Sequence, residues 1–509
     1  MNLLPFLMAA FYLINPVLEW IFGKLGIPKG KLQFWIMLTS GTAWVLALVY
    51  FLLNPQSELM DISATGLALL PGLVFSHDWL TASLILSAAA LIFITILTKT
   101  EEPQSNAWLA SLGGAVVIGL VTNSAYSVGL AWVLLEGFHF YFSYQDQQIA
   151  SNPRKYLPVA LMRLSAPAVL ILLSLTGRGS QNPTALLTEL ESDQGLVLIA
   201  VGLLGFLGWF LSYQGSKPPL SRGFPGPAEN WLPGMLGLYL ILRGGSVTDS
   251  VSGWIPLILS GSLLAATLTG LLFGQTPQMW FLSCGLMTAV AAVTSGPESA
   301  LIWVLVMILP GVQSWKRSSQ PKNAPIPLAL AIVGLLPVPF LPSWAGISAF
   351  NAGLPGMILG ISYGVLLGSV LATILKNWGF SAQDRATLPV LDIIGACAIL
   401  ISQFLISFRL DLITSSRDLL NKPLVIWIGL LGALPVLILG NRFPLRDRNR
   451  FSAAVTRLTA ESDQALSTGI HFLDRLVGNI ARIFEGQGGL IWALLIGLLL
   501  FTLISFSGG

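Results

Sequence analysis

Charge is what this sequence has least of. Its 509 residues include 26 Lys+Arg and 23 Asp+Glu, so only 10% are charged, against roughly 25% in a soluble globular domain. So few charges cannot cover a water-facing surface, which excludes a soluble enzyme, a disordered chain and a nucleic-acid binder. Cysteine is nearly absent. Cys284 and Cys397 lie in separate apolar stretches and form no C-x-x-C pair, so metal, haem and iron–sulfur centres have no support. Histidine occurs three times, at 77, 139 and 471. No nucleophile–base set and no phosphate loop is visible, and no cofactor is expected. What is plentiful is apolar: hydrophobic residues make up 54% and the mean hydropathy is +0.77. The class that remains is an all-α polytopic membrane protein.

A helix crossing the hydrocarbon needs about 20 apolar residues. Such runs lie near 3–23, 32–54, 79–98, 107–123, 125–143, 157–176, 195–213, 230–247, 254–274, 279–295, 299–315, 325–341, 352–375, 389–408, 424–440 and 489–506, which predicts about 14–16 transmembrane helices. The short alternating pattern of an outer-membrane barrel is missing. The first run has no basic segment before it and no small-residue cleavage site, so it is expected to be a retained helix. Loops alternate in charge: Lys24, Lys29 and Lys31, then Glu58, Asp61 and Asp78, then Arg154 and Lys155, then Glu189, Glu191 and Asp193. The positive-inside rule places the N-terminus outside, and an even number of spans puts the C-terminus there too.

Residues 447–485 differ from the rest. They hold Arg448, Arg450, Arg457, Glu461, Asp474 and Arg482, with apolar residues recurring at Leu466, Ile470, Leu473, Val477, Ile480 and Phe484. Steps of three and four mark one helical face, which predicts an amphipathic helix along the interface or across neighbouring helices. The expected organisation is N-terminal helices over 1–106, related halves over 107–247 and 254–375, further helices over 389–440, this interfacial helix, and a last span at 489–506.

Broken helices at membrane depth are tolerated only where backbone is buried in protein or lines a cavity. Two stretches qualify as candidates. One holds Pro218, Pro219, Pro225, Gly226 and Pro227; the other holds Pro337, Pro339 and Pro342. Each is followed by a Pro-Gly-Met triplet, at Pro233 and Pro355, that opens an apolar run. Trp132–Glu136 and Trp303–Met307 are also alike. Repetition of this kind suggests two related halves, as in transporters with internal repeats.

Several stretches, in order over about 65–440, resemble the antiporter-like membrane subunits of respiratory complex I, Mrp-type cation/proton antiporters and membrane-bound hydrogenases. His77-Asp78-Trp79-Leu80 is similar to the opening of that family's third helix. Trp132 to Tyr144 resembles its fifth helix, with Glu136 on the acidic position. Gly226-Pro227-Ala228 resembles its G-P-x-P turn, and Tyr239 to Arg243 the Y-L-I-x-R ending of the eighth helix. Gln275 to Gly285 resembles Q-x-D-x-K-R-x-L-A-Y-S, and Gly334 to Trp344 resembles G-L-P-P-x-x-G-F-x-x-K. Glu485 to Trp492 resembles the entry into the last helix. The resemblance implies a proton-translocating fold in which a Glu–Lys pair and a row of Lys/His residues cross the midplane.

The departures are as informative. Residues 195–213 hold no Lys or Arg, so Glu136 lacks the partner that the resemblance implies. Met279 stands on the lysine position, Pro277 on the acidic one, Met307 aligns with Glu136, and Trp344 replaces a lysine. The ionisable residues left at membrane depth are costly there and mark a candidate path: Glu136 and His139, three apart on one helix face, Arg163 in the sixth span as a possible counter-ion, and Asp392. Structural alternatives stay open for each. Glu136 and His139 form a helix contact, Arg163 snorkels, or Asp392 caps its helix after Pro389. Glu229, Arg243 and Glu298 are expected near interfaces.

The expected function is a non-catalytic, charge-depleted subunit of a complex I-like (NADH/quinone oxidoreductase) or Mrp-like assembly, with a scaffold or coupling role. Its partners are other membrane subunits and the lipid bilayer, it meets quinone only through those subunits, and it sits in a bacterial plasma or thylakoid membrane. The other reading is an active cation/proton transporter with a path through Glu136, His139, Arg163 and Asp392.

Overall fold

The computed structural model describes residues 3–53, 58–61, 74–98, 103–144, 163–172, 192–215, 227–248, 253–273, 277–306, 334–336, 342–377 and 390–409, with a few single positions between them. All lie in one compact unit. The expected interfacial helix at 447–485 and the spans at 424–440 and 489–506 lie outside the described residues.

Helices form on the apolar runs. In chain order they are α1 (Leu4–Lys24), α2 (Lys29–Leu52), α3 (Trp79–Thr98), α4 (Pro103–Val121), α5 (Ala125–Tyr144) and α6 (Arg163–Leu172). Next come α7 (Ser192–Gly215), α8 (Pro227–Val247), α9 (Trp254–Phe273), α10 (Pro277–Ser295) and α11 (Pro297–Val306). The short α12 (Pro342–Gly346) runs into a 3-10 turn (Ile347–Asn351), and α13 (Gly353–Asn377) and α14 (Val390–Arg409) complete the set. Three described helices, within Leu4–Lys24, Lys29–Leu52 and Trp79–Leu97, are long and apolar enough to cross a membrane. With the composition, they make the chain an integral membrane protein.

Local chemistry sets many of the boundaries. Five helices open on proline, at Pro103, Pro227, Pro277, Pro297 and Pro342, a position where the missing N–H costs nothing. Asp78 accepts the Thr81 N–H at 2.8 Å and caps α3, and Ser124 accepts the Ser127 N–H at 3.1 Å to cap α5. Gly296, with φ 87°, makes the one-residue corner between α10 and α11, a conformation open to glycine at little cost. Inside α1, Pro16 has no N–H for the Tyr12 carbonyl. Asn15 Nδ2 donates to that carbonyl at 3.0 Å, so the gap is filled by a side chain rather than by water.

The bundle is organised around α3, which is almost wholly buried and packs against α2, α4, α8 and α14. Its Ser83, Ser87 and Thr95 hydroxyls donate to carbonyls four residues back at 2.7–2.8 Å, which satisfies these buried hydroxyls within the helix. The closest helix pair is α7 with α8. A Cβ built on Gly202 would lie 2.6 Å from the Gly237 oxygen, and one on Gly244 would lie 2.5 Å from the Gly195 oxygen. Glycine is what lets these backbones touch, the usual device where lipid supplies no hydrophobic drive between helices.

The segment read as an acidic loop at 55–78 holds the one departure from helix among the described residues. Strands β1 (Glu58–Asp61) and β2 (Val74–His77) pair antiparallel, Glu58 opposite His77, and Phe75 bridges to Thr122 after α4. The all-helical class holds with this small addition.

Because the α7–α8 contact is backbone on backbone, Gly202→Val should cost about 1–3 kcal/mol through overpacking. The expected result is a lower melting temperature in detergent, with Gly261→Ala unchanged, since nothing lies within 4 Å of a Cβ at Gly261.

Candidate functional site

Two carboxylate–arginine pairs lie inside the bundle. In the first, Arg163 Nη2 stands 2.5 Å from Glu136 Oε2, with both side chains buried. Glu136 is eleven residues into the 20-residue α5, about 16 Å along its axis. Arg163 opens the described part of α6, so the pair ties α5 to α6. The counter-charge to Glu136 thus comes from the sixth helix; α7, the seventh, carries no basic residue. An arginine so placed stays charged, because guanidinium does not release its proton in proteins.

The second pair was not foreseen. Arg243, expected near an interface, is 3% exposed. Its Nη2 meets Asp78 Oδ2 at 2.6 Å and donates to Thr81 Oγ1 at 3.0 Å. Its guanidinium also lies 5.1 Å over the Tyr239 ring. The Tyr239 hydroxyl reaches the Thr122 carbonyl at 2.7 Å. Next to Asp78, buried His77 holds the Tyr50 hydroxyl at 2.9 Å through Nδ1. One polar cluster therefore joins α2, β2, α3, α8 and the α4–α5 turn. The sequence had marked His77-Asp78-Trp79-Leu80 and the Tyr239–Arg243 ending as separate segments. With Thr81 and Arg243 162 positions apart in sequence, no spacing rule could pair them.

The other sequence candidates sit as follows. His139 is in the last third of α5 and Asp392 in the first turn of α14; their side chains lie outside the described residues, as do Pro218, Pro219, Pro225, Gly226, Pro337, Pro339 and Met307. Pro227 is the first residue of α8, and α7 runs unbroken for 24 residues to Gly215. Pro342 opens α12, where the backbone breaks: a five-residue helix, a 3-10 turn, then Gly353 at φ 66° and α13. Its first half is buried, while Asn351, Gly353 and Leu354 are exposed. Ser343 Oγ donates to the Leu336 carbonyl at 2.5 Å, Trp344 is buried, and Trp303 stacks on Phe350 at 5.5 Å. Cys284 is buried on α10 and Cys397 exposed on α14. No group of three His, Cys, Asp or Glu that could hold a metal occurs among the described residues.

No protein-family model and no curated sequence matches the chain. Solved structures do. A chain of the Mrp complex from Dietzia sp. DQ12-45-1b superposes with a TM-score of 0.60 at 12% identity, over 100% of this chain and 63% of that one. A chain of the membrane-bound sulfane sulfur reductase, an archaeal respiratory membrane complex, gives 0.62 at 12% identity, over 98% and 99%. A chain of respiratory complex I from Thermus thermophilus with bound NADH gives 0.57 at 15% identity, over 84% and 99%. This is the antiporter-like fold. The chain spans less than two thirds of the Mrp-complex chain it matches and nearly all of the other two.

Within the antiporter-like fold, the two pairs make opposite demands on solvent. Asp78 is partly exposed at 15%, whereas Glu136 and Arg163 are at 6% and 7%. Removing one partner of the inner pair strands the other without water, a loss of about 3–5 kcal/mol. Arg163→Ala should therefore destabilise the protein strongly, while the double change Glu136→Gln with Arg163→Met should recover most of the loss. Melting curves of wild type and the two variants in one detergent check this.

Proposed function

We propose that the chain is a membrane subunit of a complex I-like or Mrp-like assembly and that its role is scaffold or coupling element rather than proton carrier. The observation that carries this reading is the content of the interior. Where the resemblance implies lysine, Trp344 is buried. The buried cations among the described residues are Arg163 and Arg243, each held by a carboxylate. A relay needs groups that load and unload protons, and a paired arginine does neither. The three superposing structures come from multi-subunit membrane complexes, which supports other membrane subunits as partners. Redox chemistry and quinone would then belong to those partners, in a bacterial plasma or thylakoid membrane. In this reading 107–247 and 254–375 are related halves, and residues 447–485 grip neighbouring subunits along the interface.

A second reading keeps the chain as an active cation/proton transporter through Glu136, His139, Arg163 and Asp392. The place of Glu136 near the middle of α5 favours it, since an ionisable group inside a span is usually functional.

Purifying the tagged full chain from native membranes in a gentle detergent, followed by mass spectrometry, tests the first reading. Co-purification of complex I-like or Mrp-like subunits is the expected result. Recovery of the chain alone would sink the scaffold role and leave a stand-alone transporter.

A further inference from the structure

The turn between α1 and α2 carries charges that the fold does not use. Lys24 ends α1, Lys29 opens α2 and Lys31 follows in its first turn. All three are exposed. None of their side chains takes part in an ion pair or hydrogen bond with a described residue. Lys24 suits the end of a helix, but cations in a first turn are opposed by the helix dipole. No acidic residue stands in the first turn of α2 to offset them. Lys29 and Lys31 therefore do not stabilise the start of α2.

The backbone holds these charges together. Only residues 25–28 separate α1 from α2, and the two helices pack against each other. The end of α1 closes through Gly26 at φ 64°. There the Leu25, Gly26 and Ile27 N–H groups donate to the Ile21, Gly23 and Phe22 carbonyls at 3.0–3.4 Å, a glycine-terminated helix end. The space around the turn is open, since nothing lies within 4 Å of a Cβ built on Gly23, Gly26 or Gly30. The flanking side chains suit a membrane interface. Trp20 is 67% exposed and Phe34 61%, and Leu25 and Trp35 are exposed too; tryptophan rings settle at headgroup level. Further into the spans, Val17 and Ile21 of α1 and Leu38 of α2 are exposed, so apolar surface continues from the turn along both helices.

We propose that the α1–α2 turn binds an anionic phospholipid, its phosphate drawn to Lys24, Lys29 and Lys31 and its chains to the apolar surface that begins at Trp20, Phe34 and Trp35. Lysine recognises phosphate as a compact point charge, and basic clusters beside a span attract anionic lipid. Continuity of charge and apolar surface selects a lipid over an acidic protein loop, which would use the charges and leave the rings exposed. Basic residues also set the orientation of spans. That role acts during insertion and gives the finished protein no choice among lipids, so the two separate by experiment. The proposal rests on the chain being an integral membrane protein and not on which assembly it joins.

The test titrates the purified full chain in detergent with phosphatidylglycerol or phosphatidylcholine and counts bound lipids by native mass spectrometry. One lysine near an anionic surface is worth about fivefold in affinity. Lys29→Gln should therefore weaken the tightest phosphatidylglycerol about fivefold, and Lys24→Gln with Lys29→Gln and Lys31→Gln about a hundredfold, with phosphatidylcholine unchanged. The same three positions changed to arginine should keep the preference, because the charge stays. Lys316→Gln with Arg317→Gln, a basic pair elsewhere in the chain, should leave it untouched. Melting curves confirm that each variant is folded, and if the triple glutamine variant is not, Lys29→Gln decides. Equal affinity of wild type for the two lipids overturns the proposal, as does unchanged phosphatidylglycerol binding in folded Lys29→Gln. An equal loss in the 316–317 variant overturns a local site and leaves a general attraction of basic loops. Displacement of the lipid by the same concentration of glycerol 3-phosphate overturns it in favour of a free phosphate ligand. Loss of a co-purifying subunit from the triple variant, with lipid binding unchanged, overturns it in favour of an acidic protein partner.

Discussion

A charge buried in a bilayer has no solvent to turn to, and the pairing of Glu136 with Arg163 is the point at which this chain meets that constraint most severely. Both groups are buried, 2.5 Å apart. Neither is tolerable there without the other. The pair therefore fixes α6 against α5, where a misplaced helix would strand a buried charge. Asp78 and Arg243 do the same nearer one end, with more help. Thr81, Tyr239 and the α3 cap share the load, and Asp78 keeps some exposure. The N-terminal helices and α8 are joined by charge and hydrogen bonding rather than by apolar packing alone.

The rest of the packing follows from having so few polar groups to place. Helices without a hydrophobic drive between them rely on close fit, and the chain supplies it with glycine where backbones touch and with large rings elsewhere. Trp132 lies against Gly205 and Phe206 against Gly285, and Trp303 stacks on Phe350 and meets Tyr363 edge-on, which makes an aromatic triangle. The two regions differ in kind. Around α5 and α6 an ion pair fills the interior, and around α11–α13 aromatic rings do. That contrast, rather than any single residue, is the main difference between the two regions of the described interior.

Much of the fold was legible in the sequence because its signals are local. Apolar runs of span length mark the long helices without reference to contacts, but the five-residue α12 (Pro342–Gly346) falls between the expected spans at 325–341 and 352–375. Arg163 could be named as a partner for Glu136 because it was the one basic residue in the neighbouring span. The Asp78–Arg243 pair was not legible: each residue reads locally as a helix end, and only the fold brings β2 beside α8. The short strands were missed for a related reason, since four residues such as Glu58–Asp61 carry no period long enough to distinguish strand from loop. The aromatic triangle gathers residues from α11, the 3-10 turn and α13, and a tryptophan in an apolar run reads as belt or core until its neighbours are known.

The central claim is that Glu136 is a fixed structural charge and not a station on an ion path. Its most direct test is ion movement by the purified assembly with wild-type chain and with Glu136→Gln, normalised to assembled complex. The account expects the same ion movement per turnover in both, with the variant less stable to heat. Loss of ion movement in a fully assembled, folded Glu136→Gln complex would contradict it and make the Glu136–Arg163 pair part of a working pathway.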